Sequence, residues 1–115
     1  MAITIFHNPG CGTSRNVLAA LREGGHAPLV VEYLKAGWTE AQLTDLFARM
    51  GVTPRQMLRT RGDLAGELGL TAPSASDAAI LKAMVAHPVL VERPIVISPK
   101  GVFLCRPADR LAQAL

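Results

Sequence analysis

His7-Asn8-Pro9-Gly10-Cys11-Gly12-Thr13-Ser14-Arg15-Asn16 is the stretch on which the reading of this chain turns. Before it, Ala2 to Phe6 is apolar and β-branched enough for a buried strand, and after it Val17, Leu18 and Leu21 fall on one face of a helix. Asn8-Pro9-Gly10 is then the turn between them. That turn leaves Cys11 at or just before the first helical turn, where unpaired N–H groups and the positive end of the helix dipole stabilise an anion. A thiol placed there loses its proton more readily, and the thiolate is the nucleophile. Arg15 adds a positive charge about one helical turn further on. The same N–H groups offer a seat for an oxyanion. The plainer alternative is a small apolar cysteine buried near a turn. The succession of strand, Pro-Gly turn, cysteine and helix favours the reactive thiol.

Working outward, Ile3 to Phe6 is the first strand, the helix runs from about Thr13 to Glu23 and stops at Gly24-Gly25, and Leu29 to Tyr33 is a second strand. Together they form a βαβ unit with parallel, neighbouring strands. Thr39-Glu40-Ala41-Gln42 has the pattern of a capping box and leads into Leu43, Leu46, Phe47 and Met50 at helical spacing, closed by Gly51. Thr53-Pro54-Arg55-Gln56 repeats the device with Pro at the first helical position, and Arg59 and Arg61 come at the end of that short helix. Gly62 to Gly69 reads as another short helix, and Ser76-Asp77 caps one that carries Ile80, Leu81, Met84 and Val85 before His87-Pro88 stops it. From about residue 39 to 87 the chain is therefore expected to be helical. Ile95 to Ile97 and Val102 to Cys105, joined by Ser98-Pro99-Lys100-Gly101, read as a β-hairpin, and Pro107 opens a short amphipathic helix through Asp109, Leu111, Ala112 and Leu115. The order β-α-β, helices, β-β-α resembles the thioredoxin fold with a helical insert. The expected class is α/β, one domain over residues 1–115 with a mixed four-stranded sheet.

Composition narrows the function. The chain has 115 residues, half of them hydrophobic, with 12 Lys and Arg against 9 Asp and Glu. Most of the basic residues are Arg, which suits bidentate binding of oxyanions. Aromatic residues make up only 4% and there is no Lys/Arg run, so a small anion is expected as partner and nucleic acid is not. No apolar run approaches the roughly 18 residues of a membrane span, and no signal-type segment opens the chain, so a soluble cytoplasmic protein without a membrane partner is expected. In that reducing compartment two cysteines suggest redox or catalytic use rather than a disulfide scaffold. Two cysteines and three scattered histidines offer no metal-ligand spacing.

Among the remaining candidates, Arg93-Pro94 stands just before the third strand, where thioredoxin-like proteins place a cis-proline beside the active cysteine. By that resemblance Pro94 is cis and the same turn delivers Arg93 to the sulfur. Arg106, after the fourth strand, lies on the same sheet. His7 is a base, a cation lowering the Cys11 pKa, or simply a satisfied turn histidine. His26 and His87 read as loop residues. Cys105, at the end of a buried strand, reads as an inert core thiol.

The segment from His7 to Asn16 closely resembles the active-site segment of glutaredoxin-dependent arsenate reductases. Met57-Leu58-Arg59, Glu92-Arg93-Pro94-Ile95-Val96 and Leu104-Cys105-Arg106-Pro107 also resemble family motifs, in the family's order and at about its spacing. Gly10 stands where alanine is familiar, and longer members carry a C-terminal extension beyond the position of Leu115. The resemblance implies that Cys11 attacks arsenate, that Arg59, Arg93 and Arg106 bind the oxyanion, and that His7 and Ser14 tune the cysteine. It further implies no bound cofactor, glutathione as co-substrate and glutaredoxin as partner. A glutathione-dependent thiol oxidoreductase of the same fold is the alternative enzyme. A redox sensor that binds RNA polymerase is disfavoured, because Cys11-Gly12-Thr13-Ser14 lacks the second cysteine such a switch uses. A phosphatase-like arsenate reductase needs arginine six residues after the cysteine, where Val17 stands.

Overall fold

Ile5 and Val96 lie side by side at the centre of a four-stranded sheet, both fully shielded from solvent. They belong to a computed structural model that describes residues 2–115. Strand β1 (Thr4–His7) is followed by helix α1 (Gly12–Glu23) and strand β2 (Leu29–Glu32), which pairs with β1 in parallel as a βαβ unit requires. Strand β3 (Ile95–Ser98) pairs antiparallel with β1 on its other side, and β4 (Gly101–Leu104) pairs antiparallel with β3. The order β2-β1-β3-β4 is the mixed, thioredoxin-like sheet that the order of elements implies.

Helix α1 buries Val17, Leu18 and Leu21 against Ile3, Ile5, Val96, Cys105, Leu111 and Ala114. Each large apolar side chain so enclosed contributes about 1.5–3 kcal/mol. This core holds the N-terminal turn of α1 in register with the end of β1.

Two expectations at the margins of the sheet are corrected. Tyr33 is not a strand residue but opens the short helix α2 (Tyr33–Ala36). Its sequence suits a strand, yet β1 stops at His7, opposite Glu32, and leaves Tyr33 nothing to pair with. The C-terminal segment Ala108–Ala114 is a 3-10 helix rather than an α-helix. Ala108, Leu111 and Ala114 turn to the core at intervals of three, the 3-10 period, not the α-helical one. In the hairpin, Pro99 and Lys100 form a two-residue loop in which Pro99 cannot take a positive φ. The departure is absorbed by Gly101, at φ 142°.

By packing, the chain divides into a unit of residues 1–36 and 93–115, which holds the sheet, and a unit of residues 37–92. The second unit contains α3 (Glu40–Met50), α4 (Pro54–Met57), α5 (Leu64–Glu67) and α6 (Asp77–Ala86). Both expected capping boxes are present: Thr39 with Gln42 on α3, and Thr53 with Gln56 on α4. Helix α3 ends at Gly51 in the left-handed conformation, φ 70°. Ser76 caps α6 through the Ala79 N–H at 3.1 Å. Helix α5 is only one turn long, bounded by Gly62 and Gly69 at positive φ. After α6 the chain makes an unexpected 3-10 turn, Pro88–Leu90, and returns beside α4 through a bridge between Leu58 and Val91. Among the described residues no helix is long and apolar enough to cross a membrane.

Candidate active site

The loop after β1 is shaped by its own hydrogen bonds. The Cys11 N–H donates to the Asn8 carbonyl at 3.0 Å and closes a β-turn over Pro9 and Gly10. The Asn8 side-chain carbonyl accepts from the Gly10 N–H at 2.9 Å, and Ser14 Oγ accepts from the Asn8 N–H at 3.1 Å. The Arg15 guanidinium crosses the loop and donates to the Pro9 carbonyl at 2.9 Å. Cys11 becomes the N-cap residue of α1, with extended backbone at φ −99° and ψ 121°.

No acidic residue occupies the first turn of α1. Arg106 Nη1 donates to Sγ at 3.7 Å. Partial burial pushes the Cys11 thiol up, but the Ser14 backbone N–H, the Arg106 hydrogen bond, and the charge and hydrogen bonding of Arg93 outweigh it and hold the thiol below its ordinary range. Cys105 lies wholly inside the core, where burial alone pushes its thiol up to about 11.

Strand pairing explains how the two arginines arrive. Ile95 faces Leu104, and the Cys105 N–H donates to the Pro94 carbonyl at 3.0 Å, so the pairing continues toward Arg93 and Arg106. Phe6 of β1 also faces Ile95, which sets the same end of the sheet beside His7 and the loop that follows it. The Arg93–Pro94 bond is cis, as expected, and so is Arg106–Pro107, which the sequence does not announce. Arg93 is buried, although charged residues are mostly exposed.

His7 is buried with Nδ1 2.6 Å from Ser14 Oγ. Its pKa is lowered, chiefly by burial; Glu32 opposes this, and Arg22 and Arg15 add to it. Of the roles open to His7, the lowered pKa and the Ser14 contact favour a neutral, hydrogen-bonded ring over a cation beside Cys11. What His7 does is hold the Ser14 hydroxyl, whose own residue turns its N–H toward the sulfur. Arg15 is likewise bonded to the loop carbonyl, and its charge is not among the groups that lower the Cys11 thiol.

His7, Cys11, Ser14, Arg15, Arg93, Pro94 and Arg106 all belong to the sheet unit. Arg59 lies in the helical unit, where its N–H donates to the Leu90 carbonyl at 2.7 Å and its guanidinium stands 3.9 Å from Glu92. Reasoning from sequence overlooked Asn8, a buried residue that organises the turn. The signal was there, because Asn before Pro-Gly favours a side-chain turn onto the backbone two residues on. Among the described residues no group of three or more His, Cys, Asp or Glu is placed to hold a metal ion.

Known proteins resemble this chain along most of its length. The model of the ArsC family matches residues 6–114. Arsenate reductase ArsI2 of Synechocystis is 55% identical over 107 residues, covering 93% of this chain and 76% of its own length. An arsenate reductase of Rhizobium meliloti is 50% identical over 109 residues, covering 95% of this chain and 78% of its own length. The solved structure of the arsenate reductase from Vibrio cholerae superposes with a TM-score of 0.94 at 37% identity, over 100% of this chain and 98% of that one. With a family match over nearly its whole length, and a cysteine, helix terminus and arginines placed as described, this chain belongs to the ArsC family.

Proposed function

We propose that this chain is an arsenate reductase, forming a covalent adduct on Cys11 and drawing its electrons from glutathione and glutaredoxin. The observation that carries the reading is a thiol of lowered pKa at a helix N-terminus, 3.7 Å from the guanidinium of Arg106. A thiolate and an arsenate anion repel each other, and fixed cations with inward N–H groups offset that repulsion without reorganising. Relatives 50% and 55% identical that are named arsenate reductases support the choice of oxyanion.

In the first step the Cys11 thiolate attacks arsenic, and an arsenate oxygen leaves as water with protons from arsenate and solvent. A glutathione thiolate then attacks the Cys11 sulfur. As the disulfide forms, the S–As electron pair passes to arsenic, which departs as arsenite. A glutaredoxin thiol takes the glutathione from the mixed disulfide and frees the Cys11 thiolate. The resolving thiols come from outside, because Cys105 is sealed in the core and no second cysteine follows Cys11 nearby. Arg93 and Arg106 hold the oxyanion; Arg59 is assigned to it on the family resemblance. A cytoplasmic location follows from the glutathione the cycle consumes.

The test is arsenate-dependent oxidation of NADPH by the purified protein with glutathione, glutaredoxin and glutathione reductase. Turnover that disappears in Cys11→Ser is expected. No arsenate-dependent signal from the well-folded protein would remove this reading.

A further inference from the structure

The β-turn beside Cys11 has a conformation that its sequence does not favour. Asn8-Pro9-Gly10-Cys11 puts Pro at the second and Gly at the third position, the signature of a type II turn, in which Gly takes a positive φ near +80°. Gly10 is not among the glycines of positive φ, so with the Cys11 N–H bonded to the Asn8 carbonyl the turn is type I. The two types differ by a flip of one peptide plane, here the one joining Pro9 to Gly10. Both polar ends of that plane are held. The carbonyl of Pro9 accepts from Arg15 at 2.9 Å, and the N–H of Gly10 donates to the Asn8 side chain at 2.9 Å.

We propose that Asn8 and Arg15 are positioning residues that clamp the Pro9–Gly10 peptide in one of its two orientations and so fix the attack geometry of Cys11. This rests on the reading of Cys11 as the nucleophile given above. Glycine at position 10 makes both orientations accessible, because it carries no penalty at positive φ. Without the clamps the loop exchanges between them, and only one has the sulfur set against Arg106 and the Ser14 N–H. Arg15 serves through its hydrogen bond and not through its charge. It is also free for this work, since it is exposed and α1 does not need it for packing.

A substitution cycle separates the clamp from a charge effect. Gly10→Ala disfavours the type II orientation, because a β-carbon is strained at positive φ. The β-carbon would lie 3.3 Å from Asn8 Oδ1, a tight contact that Asn8→Ala removes. The rate of Cys11 alkylation by iodoacetamide is measured for Arg15→Ala and Asn8→Ala, each in the original and in the Gly10→Ala background, and compared with its own parent. In the original background each is expected to slow alkylation about fivefold, one hydrogen bond's worth. In the Gly10→Ala background the loss is expected to shrink to less than about twofold. An equal loss in both backgrounds, or no loss from either single substitution, overturns the proposal. If Asn8→Ala fails to fold, the exposed Arg15→Ala pair decides alone. Alkylation requires no arsenate, so a protein inactive on arsenate with this pattern intact loses the functional reading but keeps the clamp.

Discussion

Cys11 and Cys105 carry the same side chain, belong to the same sheet unit, and are driven in opposite directions. Burial pushes both thiols up. At Cys105 nothing opposes it, whereas at Cys11 a helix N–H and two arginines more than cancel it. A reactive cysteine is therefore made by donors arriving from distant parts of the chain, and exposure alone does not make one. The contrast can be broken at either end.

The largest effect should appear in labelling. At pH 7 a thiol with a pKa of about 11 is thiolate to roughly one part in ten thousand, and it is sealed from the reagent as well. Iodoacetamide is expected to alkylate Cys11 at least about a hundredfold faster than Cys105. Mass spectrometry of the two tryptic peptides checks this, and equal labelling would mean that the two environments do not differ as described.

Substituting the arginines should narrow the contrast from the other side. Arg93→Lys and Arg106→Lys keep a positive charge but lose the forked geometry, so arsenate kcat/KM is expected to fall about tenfold or more, roughly 1.4 kcal/mol. Alkylation of Cys11 should change much less. Arg59→Lys is expected to behave likewise if it holds the same anion, and an unchanged kcat/KM would take it out of the binding set. Arg106→Ala removes the charge too, so the pH profile of alkylation should move up toward the ordinary thiol value.

The smallest effect lies in alkaline stability. The unfolded chain loses the Cys105 proton near the ordinary value of 9.0, while the folded chain keeps it until about 11. Between those values the native state binds more protons, so stability contributed by the neutral thiol is lost as pH rises. Cys11, with its folded pKa lowered, works in the opposite sense and adds stability as pH approaches 9.0. Cys105→Ala is expected to remove an alkaline loss on the order of 1–2 kcal/mol. Urea unfolding at pH 8 and about pH 10.5 measures it, and an unchanged pH dependence would assign the loss to other groups.

How much of this was legible in the residues depended on how local the cause was. The helix starts at Thr39, Thr53 and Ser76 were readable, since a cap is written in four consecutive residues and needs no partner elsewhere. The thiol at the start of α1 was readable for the same reason. Tyr33 and the final 3-10 helix were misread because their conformation is set by what lies opposite, a strand that ends at His7 and a core that accepts every third side chain. The role of His7 needed burial, which lowers its pKa and keeps the ring neutral against the Ser14 hydroxyl. Arg15 looked like an electrostatic neighbour by spacing alone, and only the bond to the Pro9 carbonyl shows its work.

The sheet unit is assembled from both ends of the chain, residues 1–36 and 93–115, with the helical unit between. During synthesis β1 therefore waits for its antiparallel neighbour, since Thr4 pairs with Ile97. At about 5–20 residues per second the intervening stretch takes roughly 5–20 s to make. Through that interval the nascent chain carries Cys11 without Arg93 or Arg106, the partners that help draw off its proton. The share of its activation that the arginines supply arrives only with the last strands, whereas the Ser14 N–H belongs to the helix beside it and needs none of them.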